Sequence, residues 1–386
     1  MIVETSKYVY IFEFKLDGKT EMHACHIIFR HLDFQQGVEE FYGYGVSMDK
    51  IDFIVSWVDG SDPEWIAERR KYDNQVLSNP LELETKGDCR YRDFGLMRYW
   101  FRAIEKCAPW VNKVFFVTCG QKPKWLSENH PKLRLVNHND FIPSEWLPTF
   151  NARTISLNYH RIKDLSEHFV LFDDDVFLLQ SVTSDFFFRK GNPLLNSWLR
   201  YPRSVYDNWW RVLFNDYCIV NNSFDIRRSI WENRRKWFNV KELGVKRARQ
   251  NLLCYLANKT LPVGGYGHLS HPFLKSTFEE IWNRHPDVME QTCEQKFRTD
   301  NQVNHSLVSA WNQAKGRFFP THERGRGANI CIAPETIDLA CEIIKTRCLP
   351  QICVNDSINN VEPDVCNMKL AEAFESVFPS QSSFEK

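Results

Sequence analysis

The chain has no excess of charge of either sign, since Lys plus Arg and Asp plus Glu both number 49 among its 386 residues. A balanced chain carries no global field that would draw in a polyanion, which argues against a nucleic-acid binder. It also lacks any uncharged run of about 18 residues, so no transmembrane helix is expected. From Met1 onward, Glu13, Lys15, Asp17 and Lys19 interrupt the chain before an apolar stretch of signal-peptide kind can form. There is no Pro-, Gly- or Ser-rich tract, and 43% hydrophobic and 25% charged residues are ordinary globular values, so most of the chain is expected to fold. Twelve cysteines are present without one CxxC pair, in a chain long enough to bury a core without staples. They read as reduced, partly buried thiols in a cytosol.

What is there begins to organise at Ile51. Residues 1–50 carry no interpretable motif and form an N-terminal extension of unknown role. Ile51-Asp52-Phe53-Ile54-Val55-Ser56-Trp57-Val58 then reads as a buried strand, with turn chemistry at Asp59-Gly60-Ser61-Asp62-Pro63. Leu96, Tyr99, Trp100, Ala103, Ile104 and Cys107 recur at helical spacing, and Pro109 stops the pattern. Val114–Thr118 and Leu133–Val136 are β-rich, and Phe169–Phe172 is a further apolar run. This order predicts an α/β fold, Rossmann-like or glycosyltransferase-A-like, with a mostly parallel sheet flanked by helices. The sheet core is placed at 51–191, a basic Trp-rich, mainly helical lobe at 192–262, and the rest of the catalytic domain at 263–386.

The last apolar run leads straight into Asp173-Asp174-Asp175. Ligands of open α/β sheets bind beyond the carboxyl ends of strands, so these acids and Asp59 converge on one crevice if their strands are parallel. An extended backbone would set Asp173 and Asp175 on one side and Asp174 on the other unless the chain turns. Three adjacent carboxylates need a compensator, and hard oxygen ligands suit Mg²⁺ or Mn²⁺. A solvated acidic turn is the plain alternative. His268 follows a glycine-rich loop, Gly264-Gly265-Tyr266-Gly267, where a side chain can approach a substrate as a base. His268 and His271 could instead pair on a metal, although no Cys or further His nearby gives zinc-like spacing. In the segment 198–250, Trp198, Trp209, Trp210, Trp231 and Trp237 stand among arginines that include Arg203, Arg234 and Arg235. The rings either fill a small satellite core or stack on sugars while the arginines grip phosphates.

At these residues the chain resembles the Stealth family, which includes bacterial capsule hexose-1-phosphate transferases and an animal N-acetylglucosamine-1-phosphotransferase. The resemblance covers most of 51–386 in four ordered blocks. They are Ile51–Pro63; Arg90–Asp93 through Trp110, Gly120–Leu126, Leu147–Asn151, His160–Ile162 and Asp173–Asp175; Gly267–Pro272 with Phe297-Arg298; and Val354–Asp356 with Phe374–Lys386.

The resemblance implies that Asp174 and Asp175 serve the metal and donor diphosphate, with Asp173 beside them in place of the family's common asparagine. It implies a catalytic His268 and a required Arg298. Motif position adds Asp59, Arg90 and Asp93 to the catalytic candidates, and Gly60, Lys122, Asn355 and Asp356 to donor binding. The implied reaction moves a hexose 1-phosphate, N-acetylhexosamine 1-phosphate being the expected form, from a UDP-sugar to a hydroxyl of a growing polysaccharide and releases UMP. The expected setting is the cytoplasm, with peripheral membrane association compatible with it. A metal-dependent glycosyltransferase releasing UDP, and a silent polysaccharide-binding protein, are the rival readings.

Overall fold

The computed structural model describes residues 2–4, 9–11, 50–73, 87–200, 208–257, 259–262, 264, 267–356 and 360–386. Most of the expected extension 1–50, Arg203, and Gly265 and Tyr266 of the glycine-rich loop lie outside the described residues. The chain divides into two units, Met1–Asp49 and Lys50–Lys386. In the first, β1 (Ile2–Glu4) and β2 (Val9–Ile11) pair antiparallel.

The second unit is built on the sheet that the sequence predicts. Strands β3 (Ile51–Ser56), β4 (Val114–Thr118), β5 (Leu133–Asn137) and β6 (His168–Phe172) run parallel in the order β6-β3-β4-β5. The chain steps outward from β3 to β5 and then returns to the other side of β3, so the β3/β6 boundary is a topological switch point. After Phe172 a turn closes with the Val176 N–H donating to the Asp173 carbonyl at 3.1 Å. The chain thus leaves the central sheet, and β7 (Val176–Leu178) enters a different one. Two short strands, β8 (Phe188–Arg189) and β9 (Asn192–Asn196), follow, and β10 (His271–Leu274) joins the central sheet as an antiparallel edge beside β6. Strand β11 (Phe319–Thr321) pairs with β9, while β12 (Ala328–Cys331) and β13 (Gln351–Asn355) pair in parallel, with β13 antiparallel to β7.

Strand alternation divides the core between the two faces of the central sheet. Phe53 and Val55 turn toward one cluster, which takes in Trp100, Phe101 and Ile104 of the helix Met97–Cys107 and Leu370 and Phe374 of the helix Pro363–Val377. Ile54 turns toward the other, shared with Leu213, Tyr217 and Val220 of the helix Asn208–Ser223, with Trp237, and with Trp311 of the helix Ser306–Ala314. The helices Asn208–Ser223 and Ser306–Ala314 therefore share one apolar cluster with the sheet. Among the described residues, no helix is long and apolar enough to cross a membrane.

The segment after Phe378 is clamped to the helix Met97–Cys107 by a buried arginine. Arg102, 7% exposed, grips Glu385 with both Nε and Nη2, at 2.8 and 2.9 Å, and donates from Nη1 to the Phe378 carbonyl at 2.9 Å. The Glu385 side chain is 3% exposed. Arg102→Ala strands that carboxylate away from water, and breaking a buried pair in this way costs about 3 kcal/mol or more. Denaturant unfolding should show a loss of that order, and the paired replacement Arg102→Met with Glu385→Leu should recover most of it; equal stability of Arg102→Ala and wild type would refute the clamp.

Candidate active site

Parallel strands present their carboxyl ends at one edge of a sheet, and an antiparallel neighbour brings its amino end to the same edge. Val55 pairs with Phe172 across β3 and β6, and His271 pairs with Leu171 across β10 and β6. Asp173–Asp175 therefore follow β6 at the edge where His268 precedes β10. The second sheet meets them there, because Cys353 of β13 pairs with Val176 of β7, and the Val354 N–H donates to the Asp175 carbonyl at 2.9 Å. Asn355 and Asp356 lie just beyond.

A cavity of about 860 Å³ opens at this edge. Arg90, Asp93, Asp173, Asp174, Asp175, His268, Arg298, Asn355 and Asp356 all line it, so nine of the twelve residues that the family resemblance nominates for catalysis, donor binding or metal lie on one cavity. Asp59, Gly60 and Lys122 are not among its lining residues. The Asp59 carboxylate accepts from the Ser61 N–H at 2.9 Å and the Ser61 hydroxyl at 2.6 Å, and Lys122 pairs with Glu128 at 2.8 Å. Gly60 acts by its smallness, since a Cβ there would stand 2.0 Å from the Tyr91 carbonyl oxygen. Only a glycine lets the turn after β3 seat the Arg90–Asp93 segment. Asp356, although it lines the cavity, accepts from Arg92 Nη1 at 2.8 Å and from Asn360 at 2.8 Å, which fixes the segment after β13.

The three acids are not equivalent. They are set deep among protein atoms on the cavity wall, with the Asp173 side chain 33% and the Asp175 side chain 20% exposed. Burial raises the Asp173 carboxyl, yet the hydrogen bond from His268 Nε2, 3.1 Å from Oδ2, and the imidazole charge overcome this and hold it well below the usual carboxylate range. Burial and the charges of Asp175 and Asp173 hold Asp174 well above that range. Burial also raises Asp175. His268 responds in the opposite sense, because burial lowers it but Asp175 and Asp173 push it up to about 9. Behind it, burial and the neighbouring His305 keep His271 well below its ordinary value, and burial alone dominates in taking His305 to about 4. His271, held neutral in this way, lines the cavity with its ring 5.4 Å from that of His305.

Asp175, His268 and Cys353 each offer a ligand atom, all within 4.8 Å of one another, so they can hold a metal ion. The buried Asp175 Oδ1 has no hydrogen-bond partner, His268 Nε2 standing 4.0 Å away, which is the acceptor a cation would satisfy. Cys353 was not legible in the sequence, because its thiol reaches the site through strand pairing and no local ligand spacing marks it. Arg153, His305 and Tyr159 also line the cavity without having been singled out. Arg153, 7% exposed, donates to Gln302 Oε1 at 2.8 Å and to the Asn208 side-chain oxygen, so it braces the cavity wall. Of the five tryptophans in the basic segment, Trp209 lines the cavity, whereas Trp237 is 1% exposed core.

A mostly parallel α/β sheet whose switch point carries carboxylates, imidazole and guanidinium groups around one deep cavity is the build of a group-transfer enzyme. Residues 49–77 match the family model for Stealth protein conserved region 1, and residues 90–194 match that for conserved region 2. A capsular polysaccharide phosphotransferase WcwK of Streptococcus pneumoniae is 38% identical over 88% of this chain and all of its own length. A receptor polysaccharide phosphotransferase WefC of Streptococcus oralis is 36% identical with the same coverage. Among solved structures, an active-site mutant of LgtC aligns with 83% of this chain and 95% of its own at 11% identity and a TM-score of 0.31. Mouse xyloside xylosyltransferase 1 aligns with 80% and 97% at 10% identity and the same TM-score. The chain belongs to the Stealth family, and it is a transferase.

A cation that binds only the folded protein stabilises it by about 2.7 kcal/mol at a hundredfold excess over Kd. Titrating Mn²⁺ should therefore raise the thermal midpoint of the wild-type protein, and Asp175→Asn should lose that rise without becoming less stable in chelator. An undiminished Mn²⁺ shift in Asp175→Asn would rule out cation binding at this carboxylate.

Proposed function

We propose that this transferase is a phosphotransferase of capsular or cell-surface polysaccharide synthesis, and that it moves N-acetylhexosamine 1-phosphate from a UDP-sugar to a polysaccharide hydroxyl in the cytoplasm. The observation that carries the reading is the meeting of His268, Asp173–Asp175 and Arg298 on one cavity at the β3/β6 switch point. Relatives at 38% and 36% identity are named as polysaccharide phosphotransferases, which supports the reaction class.

In the proposed reaction the acceptor oxygen attacks the phosphorus that bears the sugar. The new P–O bond forms as the α–β phosphoanhydride breaks, and UMP leaves with the bridging oxygen. His268 takes the acceptor proton as the neutral imidazole, a form favoured once the negative charge of Asp175 and Asp173 beside it is compensated. Asp173 holds that imidazole at 3.1 Å and fixes its orientation. Arg298 and Arg90, on the same cavity, stabilise negative charge as it shifts between the phosphoryl oxygens. Asp174 and Asp175 would hold Mg²⁺ or Mn²⁺, which would neutralise the diphosphate and relieve the excess negative charge beside His268. Asn355 completes the donor wall, while Asp59, Gly60 and Asp356 act by shaping the segments around it. Asn208 and Trp209 mark the side of the cavity at which the basic segment 192–262 meets the acceptor.

Two outcomes test this. Incubation with a panel of UDP-sugars should give UMP and a phosphodiester-linked product, whereas UDP and a glycosidic bond would establish the glycosyltransferase alternative. His268→Ala should lower kcat by about 10²–10⁴, the usual contribution of general acid–base catalysis, with donor binding little changed. Wild-type turnover in that variant would remove His268 from the mechanism.

A further inference from the structure

The helix Val240–Ala257 is interrupted at Gly244, whose φ of 77° and ψ of 159° are not helical, so its continuous part starts at Val245. Leu243, Ala248, Asn251 and Cys254 are its buried residues. On the opposite face Val245, Arg249, Leu252, Leu253 and Leu256 follow the i, i+4, i+7, i+8, i+11 spacing of one helical stripe. That stripe is apolar where a solvated face is normally polar, with Val245 70%, Leu253 55% and Leu256 62% exposed. Beside the stripe, Trp231 of the helix Ile226–Glu232, itself 55% exposed, stacks against Tyr255 of the same helix as the stripe with ring centroids 6.3 Å apart. Cationic heads border these rings, with the Arg234 guanidinium 5.1 Å from the Trp231 centroid and that of Arg227 4.9 Å from Tyr255.

The charge around this face is one-sided. Between Ile226 and Ala257 nine lysines and arginines stand against two glutamates. Glu232 is engaged by Arg228 at 2.7 Å and Glu242 lies 3.8 Å from Arg189. A second copy of the chain is a poor occupant, since a two-fold contact would set like charge against like charge. A sugar polymer has no use for an exposed leucine stripe outside the cavity. Exposed Leu and Trp bordered by Lys and Arg match a bilayer interface, where apolar side chains enter the acyl boundary and cations meet anionic headgroups.

We propose that the Val245–Leu256 stripe, together with Trp231 and its arginine border, docks the enzyme on an anionic phospholipid surface. The contact is peripheral and involves no spanning segment. It is independent of the phosphotransfer reading, because the proposed surface lies outside the cavity lining and lipid binding is measured without turnover.

The full chain should float with vesicles of phosphatidylcholine and phosphatidylglycerol but not with phosphatidylcholine alone, and raising salt should weaken the association. Leu252→Ser with Leu256→Ser should weaken vesicle binding about tenfold or more, and so should Arg234→Glu with Arg249→Glu. Both pairs are on the exposed face, so the thermal midpoint should stay at the wild-type value. Absence of flotation with anionic vesicles, or wild-type flotation by either double variant, overturns the proposal. So does a dimer in sedimentation that the leucine variant dissociates while vesicle binding is absent.

Discussion

Holding three consecutive carboxylates at the end of a buried strand is the constraint on which the rest of this structure depends. Phe172 is 0% exposed and the next three residues are acids. Like charges this close, partly removed from water, oppose one another and the fold. The structure answers with a turn, so that the acids line a cavity while the chain crosses from the central sheet into the β12-β13-β7 sheet. Compensation is then divided. His268 serves Asp173, and an unpartnered Asp175 oxygen is left for a cation beside Cys353.

This division explains why the edge strand is antiparallel. A catalytic group supplied from β10 has to arrive at the carboxyl ends of the parallel strands, and an antiparallel neighbour does this by presenting its amino end there. His268 precedes β10 by only a few residues, so its loop need not travel across the sheet. The second sheet works in the same way, since the amino end of β7 lies beside the carboxyl end of β13 and places Asp175, Cys353 and Asn355 together.

The central sheet was legible because its strands are nearly continuous apolar runs with turn chemistry at their ends, as in Ile51–Ser56, and because the Leu96–Cys107 periodicity has a proline stop. The convergence of Asp173–Asp175 on a strand-end crevice followed from the parallel order alone. The turn at Asp174 stayed open in the sequence, and the pairing of β7 with β13, in which Cys353 meets Val176, 177 residues earlier, leaves no local signature. For that reason Cys353 stayed hidden. Motif position nominates Lys122 for donor binding and Asp59 for catalysis, but their side chains satisfy neighbours, Glu128 and Ser61, outside the cavity lining. Motif membership marks a segment as needed without saying whether its side chains or its backbone meet the ligand. Gly60 is the clearest case, because the absent Cβ is what the Tyr91 carbonyl requires.

A site built from repelling carboxylates weakens the fold locally, so stability has to come from elsewhere. It comes from the two faces of the central sheet, where Phe53 and Val55 on one side and Ile54 on the other are buried under separate sets of helices. It comes also from Arg102, which ties the Phe378–Glu385 segment to the helix beneath it. The Arg102 clamp lies outside the cavity lining, and the two clusters reach it only at their margins, through residues such as Met97 and Tyr159. The acids can therefore keep unsatisfied charge available for a ligand without loosening the strands that position them, and the segments that bring in Arg90, Asp93 and Arg298 can be held by backbone fit and local hydrogen bonds around that fixed edge.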